Sequence, residues 1–228
     1  MIEACCQHIR SPQKGPAVTE SAPAVGRRYG GQDAAERRAE RRARFIEAGL
    51  ELFGTQGYAG TSVRAICGEA RLTERYFYEA VRDREELLAV VYEELVQEAQ
   101  TATFAAVAEA GPEMEDQITA GLGTFVRVLS EDPRKARVVL VEVVGASARL
   151  ESRRHRVIHE FADFIADLGK SHAPEKDRQW LGMIAVALVG GVNELLVSRT
   201  PAPERSGDSR DRDQIVGVCT SLFLGALR

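Results

Sequence analysis

From Asp33 onward the apolar positions recur at helical spacing, and no stretch alternates as a strand would. Phe45, Ala48, Gly49, Leu52 and Phe53 stand at i, i+3, i+4, i+7 and i+8, which predicts one buried face on a first helix over about 33–53, with Asp33 as its N-cap. Gly54 and Gly57 stop it. Val63, Ile66, Cys67 and Ala70 repeat the spacing in a second helix, with Thr61 as its expected cap. After Arg71-Leu72, Thr73 is positioned to cap a third helix over about 74–80, and Asp83 a fourth over about 84–110. Beyond Gly111-Pro112 the pattern predicts helices over about 113–129, 132–146, 152–168, 177–198 and 213–227; Asp132-Pro133 is a cap followed by a first-turn proline. The expected fold class is all-α, with about nine helices joined by short connections and packed as bundles.

Residues 1–31 carry scattered Pro, Gly, Ser and Ala without period, and are expected to form a disordered basic tail. Residues 32–83 then form a first domain and 84–228 a second. The formal charge of −4 conceals an asymmetry. Residues 1–44 hold nine Lys/Arg against five Asp/Glu, whereas 89–228 hold sixteen against twenty-one, so one end suits a polyanion. Cys5, Cys6, Cys67 and Cys219 include no Cys-x-x-Cys pair, which fits a reducing cytoplasm. No apolar core of an export signal follows Glu3, and the longest uncharged run, 180–193, is shorter than the ~20 residues that span a bilayer. A cytoplasmic protein without a membrane segment is expected.

Two short helices joined by a tight turn, the second opening on a hydroxyl, make a helix-turn-helix. A helix read into the major groove of DNA needs polar and aromatic groups outward and an apolar anchor inward. In the third helix Phe77 and Val81 are four apart and face the core, leaving Thr73, Glu74, Arg75, Tyr76 and Tyr78 outward. Arg75 is the residue type best suited to a guanine edge. Thr61, Arg64 and Arg84 belong to the first turns of neighbouring helices, where free backbone N–H groups already favour phosphate. Arg37, Arg38, Arg41, Arg42 and Arg44 serve equally as a DNA-facing ridge or as a solvated face interleaved with Glu36 and Glu40. Arg27 and Arg28 suit a basic arm reaching the DNA backbone or minor groove. No Ser-His-Asp set, metal cluster or Gly-rich phosphate loop surrounds His8, His155, His159 or His172, so the chain is not expected to be an enzyme or to need a cofactor or metal.

Over residues 42–88 the sequence resembles the tetracycline-repressor (TetR) family. The resemblance rests on Leu52-Phe53, Gly57-Tyr58, Thr61-Ser62, Ile66, Phe77-Tyr78 and Arg84-Glu85-Glu86-Leu87-Leu88, all in ungapped register. It implies a three-helix DNA-binding domain ahead of a helical bundle for ligand binding and dimerisation. Phosphate contacts are implied at Thr61, Tyr78 and Arg84, and groove contacts at Thr73 to Tyr76. It also implies a repressor that a small molecule releases from palindromic operator DNA. Arg71 departs from the family's glycine in the turn, and must either follow another backbone path or adopt the left-handed region. Glu74 departs from a frequent lysine, and Ala80-Val81 from a bulkier pair.

The resemblance places dimerisation on the last two helices, where two apolar stripes stand out: Leu181, Ile184, Leu188, Gly191 and Leu195, then Ile215, Val218, Leu222 and Phe223. An effector pocket is expected among the middle helices. Its apolar candidates are Phe104, Phe125, Val139, Val143, Phe161, Phe164, Trp180 and Met183, and its polar candidates Glu142, His159 and Asn193. Such a lining suits an apolar or amphipathic molecule. A DNA-binding dimer with no small-molecule effector is the alternative.

Overall fold

The structure, a computed structural model, describes residues 33–199 and 209–227. The expected tail 1–31, with Cys5, Cys6, Arg27 and Arg28, lies outside them. The described residues form helices and their connections and contain no strand. The helices are α1 (Ala34–Thr55), α2 (Val63–Ala70), α3 (Glu74–Ala80), α4 (Arg84–Glu109), α5 (Met114–Ser130), α6 (Pro133–Arg137), α7 (Ala148–His172), α8 (Arg178–Arg199) and α9 (Ser209–Leu227). A π-helical turn, Val138–Glu142, continues α6.

Most boundaries follow from capping chemistry. Asp33 and Glu36 form a reciprocal capping box at the start of α1. The Asp83 carboxylate accepts the Glu86 N–H at 2.8 Å, an interaction worth about 1 kcal/mol at such positions. It starts α4 where expected. At α2 the cap is Ser62, whose Oγ accepts from Ala65 N at 3.1 Å. The expected cap, Thr61, is buried instead, and its hydroxyl donates to the Gly57 carbonyl at 2.7 Å. Thr73 occupies the α3 cap position without a side-chain capping bond.

The expected helix over 132–146 is broken. Its start is as read, since Asp132 caps and Pro133 enters at the first turn. After Arg137 the chain widens into the π-helical turn, Gly145 adopts φ +73°, and Ser147 caps α7 several residues earlier than expected. The Ser147 hydroxyl also donates to Glu85 of α4 at 2.8 Å. Apolar spacing reads straight through this region because Val138 and Val143 are both buried; where the helix breaks, Glu142 and Arg137 bond to residues of the 55–58 segment.

Two buried clusters result. One runs without interruption from Phe45, Ile66 and Phe77 through Leu87, Leu88 and Tyr92 to Leu150 and Phe161, so the helix-turn-helix shares its core with the start of the bundle. The other joins α5, α7, α8 and α9 around Leu129, Ala166, Leu181, Leu188, Ile215 and Phe223. Phe125 and Val139 touch both.

Candidate nucleic-acid interface and effector cavities

The α2–α3 turn is made by Arg71, which adopts the left-handed conformation at φ 51° and ψ 43°. This is the one non-glycine residue with positive φ among those described. Its N–H closes α2 onto the Cys67 and Gly68 carbonyls, as a glycine would in an αL cap. Arg44 of α1 supplies the compensation. Its guanidinium donates to the Ala70 carbonyl at 2.5 Å and lies 3.4 Å from the Arg71 carbonyl, placing a cation at the carbonyl end of α2. Its partner, 26 residues distant, gives no local sequence signal.

The α3 helix stands on Phe77, which is fully buried and packs edge-on against Phe45 at 5.5 Å between ring centroids. Thr73, Glu74, Arg75, Tyr76 and Tyr78 are all exposed on the outer face, as is Arg64 on α2. The Arg75 side chain is 84% exposed and paired only to Glu79 one turn on, at 3.1 Å. Such an exposed pair is weak and easily exchanged for another acceptor. The Arg41 guanidinium lies 4.5 Å above the Tyr76 ring, which joins the α1 arginines to the reading face.

The hydroxyl of Thr61 and one guanidinium nitrogen of Arg84, both expected at phosphate, are engaged inside the fold. Thr61 is 1% exposed, with its hydroxyl committed inside the fold. Arg84 is half-buried; its guanidinium donates to the Tyr58 and Thr61 carbonyls and lies 4.9 Å over the Tyr58 ring. Both residues brace the 57–61 loop that delivers α2.

Glu142 holds the same loop from the other side. It was expected in the pocket, but its carboxylate accepts the Tyr58 N–H at 2.7 Å and the Arg137 Nε–H at 2.9 Å. Arg137 also donates to the Thr55 carbonyl at 2.8 Å. Gly57 is required between them: its φ is +84°, and a Cβ there would lie 3.1–3.2 Å from Arg137 and Glu142 side-chain atoms. Arg134 adds a clamp on α1, pairing with Glu51 at 2.7 Å and with Asp132 at 2.7 Å. The hydrogen bond from Arg134 holds the Asp132 carboxyl below the usual carboxylate range, against the upward push of burial. The π-helical turn therefore faces the reading head on one side and, through Val139 and Leu140, the bundle interior on the other.

Two cavities lie within the bundle. The one far from the reading head, about 60 Å³, sits between Thr103 and Val107 of α4, Ile118 and Gly121 of α5, Leu168 of α7 and Val192 of α8. The nearer one, about 70 Å³, is bounded by Tyr92 and Val96 of α4, Leu129 of α5, Val139 and Leu140, with Arg154 and Asn193 as polar members. Phe125, Phe161 and Val189 border both. Of the residues expected to line a pocket, Phe125, Phe161, Phe164, Val139 and Asn193 border one or other of these cavities, and Phe104 stacks on Phe164 at 4.2 Å.

Four other expected members are elsewhere. Val143 is fully buried in the first core cluster, so a bulkier residue there would strain that core. His159 and Met183 are exposed and meet in a shallow surface groove between α7 and α8. Trp180 is half-buried against the second cluster, with the Lys176 ammonium 5.4 Å from its ring centroid. The sequence pattern missed Tyr92, Val96, Gln117 and Leu140 as cavity residues, because helical spacing marks a buried side without saying whether the space it faces is filled.

The stripes on α8 and α9 divide. Leu181, Leu188, Ile215 and Phe223 are buried inside the chain, and Ile184 and Leu195 pack against the same cluster. Val218 (47%) and Leu222 (67%) of α9 remain exposed, as do Met183 and Val186 of α8. Gly191 is exposed, as are Gly190, Gly217 and Gly225, and a Cβ on any of these four would meet nothing within 4 Å. One helix, spanning residues Arg178–Ser198, is long and apolar enough to cross a membrane, but it is apolar because one side feeds the second core and another carries this uncovered strip.

Residues 45–91 match the family model for bacterial regulatory proteins, tetR family. Solved structures are similar over most of the chain. The fatty acid degradation regulator FadR from Bacillus halodurans superposes with a TM-score of 0.70 at 18% identity, over 82% of this chain and 96% of that one. A putative transcriptional regulator from Pseudomonas aeruginosa PAO1 gives 0.70 at 18% identity, over 88% and 94%. A putative tetR family transcription regulator from Shewanella sp. PV-4 gives 0.63 at 19% identity, over 79% and 96%.

Proposed function

We propose that this chain, which belongs to the tetR family of bacterial regulatory proteins, is a cytoplasmic homodimeric repressor that leaves its operator when a small apolar or amphipathic molecule enters the bundle. Residues 32–83 act as the DNA-binding unit, and 84–228 as the effector and dimerisation unit. The observation that carries the DNA reading is α3 with its cap: Thr73, Glu74, Arg75, Tyr76 and Tyr78 are all exposed, and Phe77 alone is fully buried. Thr73, Glu74, Arg75 and Tyr76 meet base edges or sugar. Tyr78 and Arg64 meet phosphate, and the N-terminal arginines add non-specific attraction.

One reading helix covers too few base pairs for an operator, so two copies are needed, about 34–36 Å apart on a two-fold symmetric site. The uncovered strip of Met183, Val186, Val218 and Leu222 supports the second copy. Exposed glycines beside it let the paired helices approach closely.

Release follows from the position of the 57–61 loop, which is gripped by Arg84 at the start of α4 and by Glu142 at the end of the π-helical turn. Both carriers line the nearer cavity, α4 through Tyr92 and Val96 and the turn through Val139 and Leu140. A molecule that parts these walls prefers the form with displaced reading heads. It must then lower DNA affinity by the factor by which DNA lowers its own. A coupling of ~1–3 kcal/mol gives roughly 5–150-fold release.

The test is selection of binding sites from random duplexes at moderate salt, followed by titration of the selected duplex. A two-fold symmetric site bound by two chains is expected, and recovery of no preferred sequence would overturn the reading. A dimer without an effector is the second reading. It is favoured by the size of the cavities, about 60 and 70 Å³, each room for only a few water molecules.

A further inference from the structure

We propose that the two cavities are the halves of one channel, and that the channel takes a single acyl chain with its carbonyl-bearing head toward the DNA-binding end. The inference rests on the bundle being an effector domain, and goes beyond it in naming the ligand's shape, polarity and direction.

The cavities lie in line along α4. The nearer is bordered at Tyr92 and the farther at Val107, fifteen residues on, which at 1.5 Å per residue spans about 22 Å. Two other helices keep the same order: α5 gives Ile118 to the far half and Leu129 to the near half, and α7 gives Leu168 and Arg154 respectively, whereas α8 crosses where the halves meet, with Val192 on the far side and Asn193 on the near side. Phe125, Phe161 and Val189 border both halves, the two rings meeting edge to face at 5.2 Å. Neither half alone holds more than a fragment, and a compact ligand would need walls that are not there. A thin one needs rotation of these two phenyl rings and a modest parting of the helices along its length.

Polarity sets the direction. The far half exposes only apolar surface to its interior, which suits a hydrocarbon tail. The near half brings together three groups able to donate to oxygen: the Tyr92 hydroxyl, the Arg154 guanidinium and the Asn193 amide. Tyr92 is 1% exposed, its hydroxyl takes part in none of the hydrogen bonds among the described residues, and burial pushes its pKa up to about 12. It stays a neutral donor at any physiological pH. Arg154 uses its Nε on Glu151 at 3.2 Å, which leaves the rest of the fork to a ligand. Three donors among apolar walls recognise a carboxylate or a thioester carbonyl, and either head would press on Val139 and Leu140.

The experiment uses the full-length protein and calorimetry with palmitic acid, octanoic acid and palmitoyl-coenzyme A, all below micelle-forming concentration. One molecule per chain is expected. Each additional buried methylene is worth about fourfold, so palmitate should bind at least a hundredfold more tightly than octanoate. The free acid and the thioester distinguish the two head groups. Val189→Phe narrows the passage and should abolish the preference for palmitate while sparing octanoate; Val189→Leu, a milder change, should reduce it. Tyr92→Phe should weaken all three probes by roughly two- to tenfold. Thermal melting followed by circular dichroism verifies that each variant is folded. Equal affinity for palmitate and octanoate, or no binding of any probe, overturns the channel. Palmitate binding that leaves operator affinity unchanged keeps the channel and removes the effector reading. Release by a compact non-acyl molecule, with no acyl probe bound, does the reverse.

Discussion

The Arg75 side chain is 84% exposed, and its partner Glu79 is an exposed neighbour on the same helix. Exchanging that acceptor for a guanine edge costs little. Arg75→Ala should relax discrimination at one base pair by ~1–3 kcal/mol and spare non-specific binding; a base preference unchanged in competition assays would take Arg75 out of direct readout. Thr61 and Arg84 differ from it, because the Thr61 hydroxyl and the Arg84 Nη1 are engaged inside the fold. Thr61→Val and Arg84→Ala should lower the melting temperature and weaken DNA binding through misplacement of α2, with the slope of log affinity against log salt unchanged. A slope flattened by about one unit would instead restore the phosphate contact. Sequence alone marked both residues at helix starts, as phosphate contacts, and gave no sign of their bonds inside the fold. A hydroxyl or guanidinium at a helix start looks the same whether its partner is phosphate or a carbonyl of the same chain.

At the scale of elements, the π-helical turn is the part that joins the bundle to the reading head. Glu142→Gln keeps the size of the side chain but removes the charge that holds Arg137 and weakens the acceptor for Tyr58 N. Operator affinity should change little, whereas the fold-change produced by a bound effector should fall towards one in paired titrations. Retention of the full response would place the coupling in α4 alone. The α6–α1 clamp carries a pH signature. The Asp132 carboxyl is held below its ordinary value, chiefly by the hydrogen bond from Arg134, so its contribution is complete above the ordinary carboxylate pKa near ~4. That contribution is lost as pH falls through the depressed value. Wild type should therefore melt above Asp132→Asn at neutral pH, and the gap should close as the solution is acidified. A gap independent of pH would show that Asp132 acts only as a helix cap.

For the whole molecule, the exposed apolar residues of α8 and α9 are the proposed contact between two copies. Leu222 and Met183 are 67% and 60% exposed, so charging them costs the monomer little. Leu222→Arg with Met183→Glu should leave helix content intact and shift sedimentation from dimer to monomer at micromolar concentration, with specific operator binding lost in parallel. A dimer that survives both changes would place the interface elsewhere. Leu181, Leu188, Ile215 and Phe223 are unsuitable for this test, because they belong to the second core and their replacement would unfold the bundle.

The residues themselves settled the elements of this protein. Periodicity, Asp33, Asp83 and Asp132-Pro133 located most of the helices, since caps and amphipathic faces are local properties of a few neighbouring side chains. The helix-turn-helix was legible for the same reason, with Phe77 inward and its neighbours outward. What required tertiary structure depended on residues far apart in the chain. Arg44 compensates the left-handed Arg71 from 27 residues away, Glu142 reaches Tyr58 across 84, and α6 opens into a π-helical turn to make that reach. The division of α8 and α9 into a core side and an uncovered side was decided likewise. Their composition is apolar nearly all round, and only the packing of α5 and α7 determines which stripe is covered.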